Sequence, residues 1–370
     1  MKSIRICHFS SVHPQGDTRV FLKECVSLAE NYQVDLVVAN GTEGMKEGVQ
    51  VHVVEPKGNS RLSRMIFTSR AVYKKAKSLN ADIYHFHDPE LLPYALLMER
   101  SGKPVVYDAH EDVPKQLMGK YWINKNLRKV VASSFRGVEN FVARRLSGVV
   151  TATPFITKRF KLVNPNTITV NNYPFVEELA VASANRSEAQ NQICYVGGIT
   201  EIRGITTLVK AMEKTSGVKL LLAGNISPNS YADELKKEPG WKKVEYFGPA
   251  NRSEVAEIFG KSFAGIVTFL PLPNHVDAQP NKMFEYMSAG LPVIGSNFEL
   301  WRNIIEGNDC GICVDPLGET SLARAIMELK NDTKKVKEMG LNGKKAVIEK
   351  YNWDTESKSL TEFYESILKP

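Results

Sequence analysis

The sequence lacks the features of several large protein classes. Its 370 residues contain no stretch near the ~20 consecutive apolar residues that a membrane-spanning helix needs. The apolar run after Met1 contains Arg5 and is too short for a signal peptide. No low-complexity segment is present, and 43% apolar with 24% charged residues is close to the usual globular balance of roughly one half and one quarter. We therefore expect a globular, cytoplasmic protein that is neither disordered nor embedded in a membrane.

Cysteine is also scarce. The five cysteines are odd in number and lie mostly in apolar runs, as reduced cytosolic cysteines do: Cys7, Cys25, Cys194, Cys310 and Cys313. The last two form one C-x-x-C pattern, which is compatible with a redox pair or with half of a zinc site. No second C-x-x-C and no H-x-x-x-H partner accompanies it, and it continues into Val314-Asp315-Pro316 like a strand that ends in a turn. Core packing is therefore the favoured interpretation.

The length predicts two domains, because one hydrophobic core rarely serves more than roughly 250 to 300 residues. Short β-rich runs alternate with helical segments in two series. The first runs are 4–9, 34–38, 51–54, 83–86, 105–107 and 148–152, and the second are 192–196, 219–223, 244–247, 264–269, 292–294 and 311–314. Such alternation predicts parallel sheets covered by helices on both faces. The expected fold class is α/β, with two Rossmann-like, doubly wound domains facing a cleft.

The domain boundaries follow from the same pattern. We place the first domain at 1–172 and the second at 191–350, joined by a polar linker, 173–190, that has no strand pattern. The final segment, 351–370, is predicted as a helix with an apolar face: Leu360, Phe363, Tyr364, Ile367 and Leu368. This face needs another surface to pack on.

A glycine-rich loop follows the first strand of the second domain. In parallel sheets, ligands bind at the carboxyl ends of the strands, where loops and helix N-termini meet. Gly197 and Gly198 let the backbone approach a phosphate closely, and Arg203 adds a cation before the next helix. A glycine pair after a strand is also a common turn. The pattern is neither G-x-G-x-x-G nor a P-loop, which disfavours nicotinamide and ATP as ligands.

Two carboxylates eight residues apart mark the next candidate loop. Asp277 precedes a Pro280-Asn281-Lys282 turn, and Glu285 lies on the helix that this turn can start. Two carboxylates so placed can accept hydrogen bonds from hydroxyl groups, while the amides at the helix start hold a phosphate. Sugar and ribose hydroxyls are the natural partners.

The segment Glu285-Tyr286-Met287-Ser288-Ala289-Gly290-Leu291-Pro292-Val293 resembles the end of a family signature. It is similar to the E-x7-E motif of the retaining, nucleotide-sugar-dependent glycosyltransferases of family 4, which have the two-domain GT-B fold. Asp277 stands here at the first Glu of that motif. The family's loop G-R-L-x-x-x-K-G aligns with 197–204, where Gly198 replaces the Arg and Arg203 replaces the Lys.

This resemblance implies a retaining transferase that moves a sugar from a UDP- or GDP-sugar to a glycan or lipid-linked acceptor, with a role in bacterial surface polysaccharide synthesis. Arg203 would neutralise the diphosphate, Glu285 would hold the ribose, and Asp277 would contact the sugar. Our own hypothesis is that Lys282 compensates for the cation missing at Gly198. The implied catalytic residues are Arg203, His110, Asp277 and Glu285; the implied donor-binding residues are Gly16, Gly197, Gly198, Arg203, Asn225, Gly248, Asn281, Lys282 and Glu285. The segment 351–370 would cross back to the first domain. No metal and no further cofactor are expected.

The loops of the first domain fit the same resemblance. The segments 13–24, 85–92 and 107–112 follow predicted strands, and the implied acceptor-side residues are Asp17, Arg19, His87, His110 and Glu111. His110 could also be a hydrogen-bonded structural histidine. His85 and His87 share one face of a strand beside Asp88, so that metal binding is an alternative, although no D-x-D motif occurs. Loop ordering is the favoured task of Asp88 and Glu90.

The positive charge is concentrated in the first half. Residues 1–185 contain 25 basic and 17 acidic residues, against 23 and 24 in the remainder. Within 115–145, eight basic residues and one acid, Glu139, alternate with apolar residues as in an amphipathic basic helix. An ordinary surface helix, contact with an anionic membrane surface and nucleic-acid binding all fit this pattern. No recognised nucleic-acid motif supports the last, so nucleic acid is not an expected partner.

Two further functions remain alternatives to sugar transfer. A sugar-nucleotide epimerase or hydrolase could use the same two-domain fold. A nucleotide- or glycan-binding protein without catalysis is compatible with Gly198 and Asp277 at the two motif positions that depart from the family pattern.

Overall fold

The computed structural model describes residues 4–56, 61–119, 123–176 and 191–368. The chain forms two compact units, one comprising Met1–Asn172 and Trp353–Pro370 and the other Tyr173–Asn352. The end of the predicted linker, 177–190, lies outside the described residues. Tyr173, the first residue of the predicted linker, packs edge-on against Phe284 and Tyr351 of the second unit.

The strands agree with the two predicted series and add short ones. They are β1 Arg5–Phe9, β2 Gln33–Val38, β3 Gly44–Lys46, β4 Val49–Val53, β5 Ile83–Phe86, β6 Val105–Ala109, β7 Gly148–Thr151, β8 Thr167–Thr169, β9 Gln192–Val196, β10 Lys219–Ala223, β11 Val244–Gly248, β12 Ala264–Val267, β13 Val293–Ser296 and β14 Gly311–Val314. The sequence pattern missed β3 and β8, because three residues are too few to establish a periodicity.

The helices connect these strands in the expected alternation. They are α1 Val26–Ala29, α2 Arg61–Ser78, α3 Leu92–Glu99, α4 Val113–Gly119, α5 Lys125–Ala143, α6 Pro154–Lys161, α7 Ile205–Glu213, α8 Asn229–Lys237, α9 Arg252–Gly260, α10 Asn281–Ser288, α11 Glu299–Ile305, α12 Glu319–Asn331, α13 Thr333–Glu349 and α14 Trp353–Leu368. A π-helical segment, Thr18–Cys25, runs into α1, and 3-10 turns occur at Pro89–Leu91, Glu201–Arg203 and Pro239–Lys243.

In the first unit, the described residues form an eight-stranded sheet in the order β3-β4-β2-β1-β5-β6-β7-β8. Neighbouring strands are parallel except for the antiparallel pair β3 and β4. The register places His8 opposite His85 on the adjacent strand. The strands β5, β6 and β7 are buried along their whole length, as expected for a parallel sheet covered on both faces.

The last helix, α14, belongs to the first unit. Its apolar residues Leu360, Phe363 and Tyr364 are buried. The Trp353 indole N–H donates to the Ser27 hydroxyl over 2.7 Å, and Glu356 accepts from the Asn171 backbone over 2.7 Å. The first unit, through α1 and the segment after β8, thus supplies a surface that this helix needs.

In the second unit, the described residues form a six-stranded parallel sheet in the order β11-β10-β9-β12-β13-β14. One face packs on α9 to α11 through a core that contains Phe259, Phe284 and Trp301. The other face packs on α7 and α12 through Leu208 and Ile326. Each unit is therefore doubly wound, as the sequence predicted.

The C-x-x-C pair packs in the second unit, with the core on the α9 to α11 face of the sheet. Cys310 and Cys313 are both free thiols. Burial raises the pKa of each to about 12, which does not suit a reactive thiolate.

No helix in the described ranges has the length and apolar character that crossing a bilayer requires.

Candidate functional site

At the carboxyl ends of the adjacent strands β9, β10 and β11, the backbones of three glycines contact one another. Gly197 follows β9 with a φ of +128°, and Gly224 follows β10. A Cβ on Gly224 would lie 1.9 Å from the Gly197 carbonyl oxygen, so only glycine fits. The Gly224 N–H donates to the carbonyl of Gly248 over 2.7 Å, and the Asn225 carbonyl accepts from Ile199 over 2.8 Å. The predicted donor residues of these three loops thus lie side by side.

The turn that carries Arg203 is fixed by Gly204. This glycine has a φ of +74°, and a Cβ there would lie 1.8 Å from the Thr268 carbonyl oxygen at the end of β12. The Leu270 N–H also donates to the carbonyl of Ile202 over 3.0 Å. These contacts direct the Arg203 guanidinium back to the glycine pair, where it donates to the Gly198 carbonyl over 3.3 Å.

Lys282 approaches the same glycine pair from the first turn of α10. It is only 8% exposed, and its ammonium group donates to the Tyr195 hydroxyl over 2.7 Å. A Cβ on Gly197 would lie 2.8 Å from this nitrogen, and one on Gly198 would lie 2.9 Å from Arg203 Nη1. Because both glycines lack a side chain, two cations occupy the space in front of the loop.

An aromatic side chain supports both cations. The Phe269 ring centre lies 5.5 Å from the Arg203 guanidinium carbon and 5.3 Å from Lys282 Nζ. Burial, and then the nearby charge of Arg203, hold the pKa of Lys282 well below its ordinary value. Two cations and a glycine loop at the carboxyl ends of parallel strands form an arrangement that can bind a diphosphate. Tyr195 and Phe269 were not predicted as site residues, because neither lies in a recognisable motif.

Of the two E-x7-E positions, Glu285 lies close enough to this centre for its charge to act on Lys282. Glu285 projects from α10 and accepts from Arg252 Nη1 over 2.9 Å. Asp277 is partly buried in the preceding loop, and Asn281 is exposed at the first residue of α10. His275 had no role assigned from the sequence. It is buried, and its Nδ1 lies 2.9 Å from the Leu270 carbonyl oxygen.

The first unit contains a cavity of about 660 Å³ of its own. Its polar lining consists of histidines and carboxylates with a few amides and hydroxyls: Ser11, His13, Asn40, Thr68, His87, Asp88, Glu90, His110, Glu111 and Gln116. Hydroxyl-rich molecules suit such a mixture of donors and acceptors. The predicted acceptor-side residues His87, His110 and Glu111 all border this cavity.

The loop after β1 forms one wall of the cavity and is ordered by Asp88. This carboxylate accepts from the Ser10 hydroxyl over 2.8 Å and from the backbone N–H groups of Ser11 and Val12. Glu90 accepts from the Ser11 hydroxyl over 3.2 Å. Asp88 thus orders this loop, the task favoured from the sequence.

Three other predicted residues of this loop lie away from the cavity. Arg19 is 4% exposed and donates to both oxygens of Asp108 and to the Val170 carbonyl, so it forms part of a buried network. Asp17 accepts from the N–H groups of Arg19 and Val20 and caps the π-helical segment. Gly16 is exposed. Among the described residues that line the cavity, none of these three occurs.

Asp108 connects this buried network to the cavity. Its Oδ2 lies 3.0 Å from His110 Nε2 and 3.3 Å from His87 Nδ1. The charge of Arg19 and the bonds to these histidines outweigh the effect of burial and hold the pKa of Asp108 well below its ordinary value. The carboxylate therefore orients His110 at the edge of the cavity.

Two family models match nearly the whole of both units. The model of the glycosyl transferases group 1 matches residues 177–346, and the model of glycosyltransferase family 4 matches residues 16–171. The resemblance seen in the E-x7-E segment is thereby confirmed. The chain belongs to the family 4, group 1 glycosyltransferases.

Two curated relatives match part of the chain. It is 28% identical to an uncharacterized glycosyltransferase of Methanocaldococcus jannaschii over 179 residues, which are 47% of this chain and 45% of that protein. It is 24% identical to the capsular polysaccharide biosynthesis glycosyltransferase CapM of Staphylococcus aureus over 186 residues, which are 48% and 46% of the two chains. The match spans about half the length of these relatives.

Solved structures match over nearly the full chain. Sucrose-phosphate synthase from Thermosynechococcus elongatus has a TM-score of 0.80 at 16% identity, covering 98% of this chain and 99% of the other. HepE from Anabaena in complex with UDP has a TM-score of 0.75 at 16% identity, covering 98% and 100%. At this identity the likeness concerns the fold, and it confirms the predicted GT-B class.

Proposed function

We propose that this protein transfers a sugar from a UDP- or GDP-sugar to a hydroxyl group of a glycan or lipid-linked acceptor, with retention of the anomeric configuration. The observation that carries the proposal is the convergence of Arg203 and Lys282 on the Gly197-Gly198 backbone. Family membership and the complex of the structurally similar HepE with UDP support a nucleotide-sugar donor.

The two cations have a chemical task in this reaction. Breaking the bond between sugar and diphosphate develops negative charge on the departing nucleotide, and fixed donors that meet this charge lower the barrier. Arg203 and Lys282 supply two such donors in a largely buried setting. We propose that no metal takes part in the transfer step, because these two cations meet the charge.

Glu285 and Asp277 have supporting roles in the proposal. The Glu285 carboxylate holds the ribose hydroxyls of the nucleotide, and Arg252 keeps it oriented over 2.9 Å. Asp277 contacts the transferred sugar. In a retaining reaction of this kind, an oxygen of the departing diphosphate accepts the proton of the acceptor hydroxyl on the same face, so a protein base is not obligatory.

The cavity of the first unit is the proposed acceptor site. Asp108 orients His110 at 3.0 Å, so that this histidine can hydrogen-bond an acceptor hydroxyl. Glu111 borders the same space and offers a further polar contact, whereas His87 is only 2% exposed at its edge and lies 3.3 Å from Asp108 through Nδ1.

The experiment that tests the transfer follows donor consumption. Purified protein is incubated with UDP- and GDP-sugars, with and without a lipid-linked glycan acceptor, and release of the nucleotide is measured. Transfer requires release that depends on the acceptor. Equal release without acceptor would favour the hydrolase or epimerase, and binding without turnover would favour a non-catalytic protein.

We further propose that α5 binds an anionic membrane surface and that the acceptor is part of a surface polysaccharide. Apolar side chains recur at helical spacing on its solvent side and are about half exposed: Leu127, Val130, Val131, Val138 and Phe141. Exposed basic residues flank them: Lys125, Lys129, Arg136, Arg144 and Arg145. Glu139, the one acid of this helix, is buried and pairs with Arg159 at 2.7 Å. The pattern favours a membrane surface over an ordinary solvated face.

Flotation with vesicles tests this surface. The protein is expected to float with phosphatidylglycerol vesicles and not with phosphatidylcholine vesicles. Val138→Asp combined with Phe141→Asp should abolish flotation, whereas Leu162→Asp, at an apolar residue 87% exposed outside α5, should not. Retention on DNA at near-physiological salt would instead support nucleic-acid binding.

A further inference from the structure

A buried cluster of histidines lies in the first unit, behind the cavity. Strand register places His8 of β1 beside His85 of β5, and His87 follows two residues later on the same face. Glu24 of the π-helical segment completes the cluster. All four side chains are at most 2% exposed, and one ligand atom of each lies within 4.8 Å of the others.

The outer nitrogen of each histidine has an orienting partner. Tyr364 Oη lies 3.1 Å from His8 Nε2 and also contacts His85 Nδ1, and a hydroxyl oxygen can accept from both rings. Asp108 Oδ2 lies 3.3 Å from His87 Nδ1. When these outer atoms carry the protons, His8 Nδ1, His85 Nε2 and His87 Nε2 are the nitrogens available to bind an ion at the centre of the cluster. Metal-bound histidines are held by such partners in most proteins.

Two inner atoms, His8 Nδ1 and His87 Nε2, lie 2.9 Å apart and can share a hydrogen bond, which metal binding would replace. The other inner atoms are poorly satisfied by the protein itself. His85 Nε2 and both oxygens of Glu24 are buried and make no hydrogen bond. Glu24 Oε1 lies 3.0 Å from Arg19 Nε, which Asp108 also engages, and Oε2 lies 3.9 Å from His8 Nδ1. A buried polar atom without a hydrogen bond costs folding free energy. Several such atoms close together therefore indicate a bound ion or molecule that satisfies them.

We propose that His8, His85, His87 and Glu24 bind a divalent transition-metal ion. Three imidazole nitrogens and one carboxylate oxygen form a donor set that suits Zn²⁺. Because all four side chains are at most 2% exposed, the ion has a structural role: it joins β1, β5 and the π-helical segment, with α14 attached through Tyr364. The set differs from the one that the sequence suggested, since Glu24 and His8 take the place of Asp88. The site is separate from Arg203 and Lys282, so it goes beyond the proposed transfer.

The test uses the full chain without a histidine tag, so that the tag contributes no metal binding. The protein is purified from zinc-supplemented medium, and its metal content is measured by mass spectrometry. We expect about one Zn²⁺ per chain. The metal is then removed with a chelator, and Zn²⁺ and Co²⁺ are titrated back. Co²⁺ should give the visible absorption of a four-coordinate nitrogen and oxygen site.

Variants locate the ion. His85→Gln should weaken Zn²⁺ binding by more than about 100-fold, and Tyr364→Phe, which removes only an orienting hydroxyl, by about 10- to 100-fold. His52→Gln is the matched control, because His52 pairs with Asp35 in the same sheet and lies outside the cluster. Tyr364→Phe keeps the test decisive if His85→Gln fails to fold. Absence of Zn²⁺ from the purified protein together with no uptake on titration would overturn the proposal, as would equal affinity in wild type and both cluster variants.

Discussion

Lys282 Nζ donates a hydrogen bond to the Tyr195 hydroxyl over 2.7 Å, and the lysine is only 8% exposed. Burial and the charge of Arg203 hold its pKa well below the ordinary value of about 10.4. Between these two pKa values the free protein carries a neutral Lys282, and a bound diphosphate restores its proton. Binding should therefore take up a proton, and UDP affinity should fall as pH rises through this window.

Calorimetry at several pH values from about 8 up to the ordinary lysine pKa, where the nucleotide phosphate is already ionised, measures this uptake. UDP is titrated in two buffers that differ in ionisation enthalpy, and the observed enthalpies should differ. Lys282→Arg keeps the charge permanently and should bind without a buffer effect, whereas Lys282→Met should bind weakly at every pH. Equal enthalpies in both buffers for the wild type would contradict a neutral Lys282.

The same lysine should affect stability. In the window between the lowered and the ordinary pKa, the unfolded chain binds more protons than the folded one, so the free energy of unfolding should rise with pH and decline as pH falls toward the lowered pKa. Lys282→Met should flatten this slope. Denaturant unfolding measured at several alkaline pH values, and compared between the two proteins, gives the difference.

Substitution of the two glycines that flank the turn should separate binding from folding. In Gly198→Ala the new Cβ would lie 2.9 Å from Arg203 Nη1, a flexible atom that can move, so donor affinity should fall several-fold with stability nearly unchanged. In Gly204→Ala the Cβ would lie 1.8 Å from a backbone oxygen at a φ of +74°, which should cost about 2 to 5 kcal/mol of stability. Urea unfolding of both variants distinguishes them; similar losses would show that the turn tolerates a side chain.

Arg203 should matter for the reaction and little for the fold. Removal of one fixed donor to a developing negative charge costs about 10²- to 10³-fold in rate. Arg203→Ala should show this loss with an unchanged Tm, and Arg203→Lys should recover part of it. Turnover close to that of the wild type in Arg203→Ala would exclude this side chain from the mechanism.

Glu285 should contribute to nucleotide affinity. Loss of a charge-assisted hydrogen bond to the ribose in Glu285→Ala should weaken UDP or GDP binding by about 1.5 to 3 kcal/mol. Arg252→Ala is the control, because Arg252 is half exposed and touches Glu285 at 2.9 Å, so its removal should cost less than about 1 kcal/mol. Titration of both variants with both nucleotides provides the comparison, and an unchanged affinity in Glu285→Ala would speak against the ribose role.

Features that depend on neighbours along the chain could be predicted from the amino-acid sequence alone. Alternating apolar runs predicted two doubly wound parallel sheets, since burial on both faces requires such runs. The glycine pair at 197 and 198 and the eight-residue spacing of Asp277 and Glu285 identified the loops and the family, because turn geometry and helix starts are set by a few adjacent residues.

Contacts between residues that are far apart in the sequence depend on the tertiary fold. Lys282 lies 87 positions from its Tyr195 partner, and Tyr364 lies 279 positions from His85. Strand order and register bring these pairs together, and no local pattern contains that information. Arg19 shows the same limit. The family resemblance implies an acceptor-side residue, and only the fold shows that Arg19 is buried beside Asp108 in the network that holds His110.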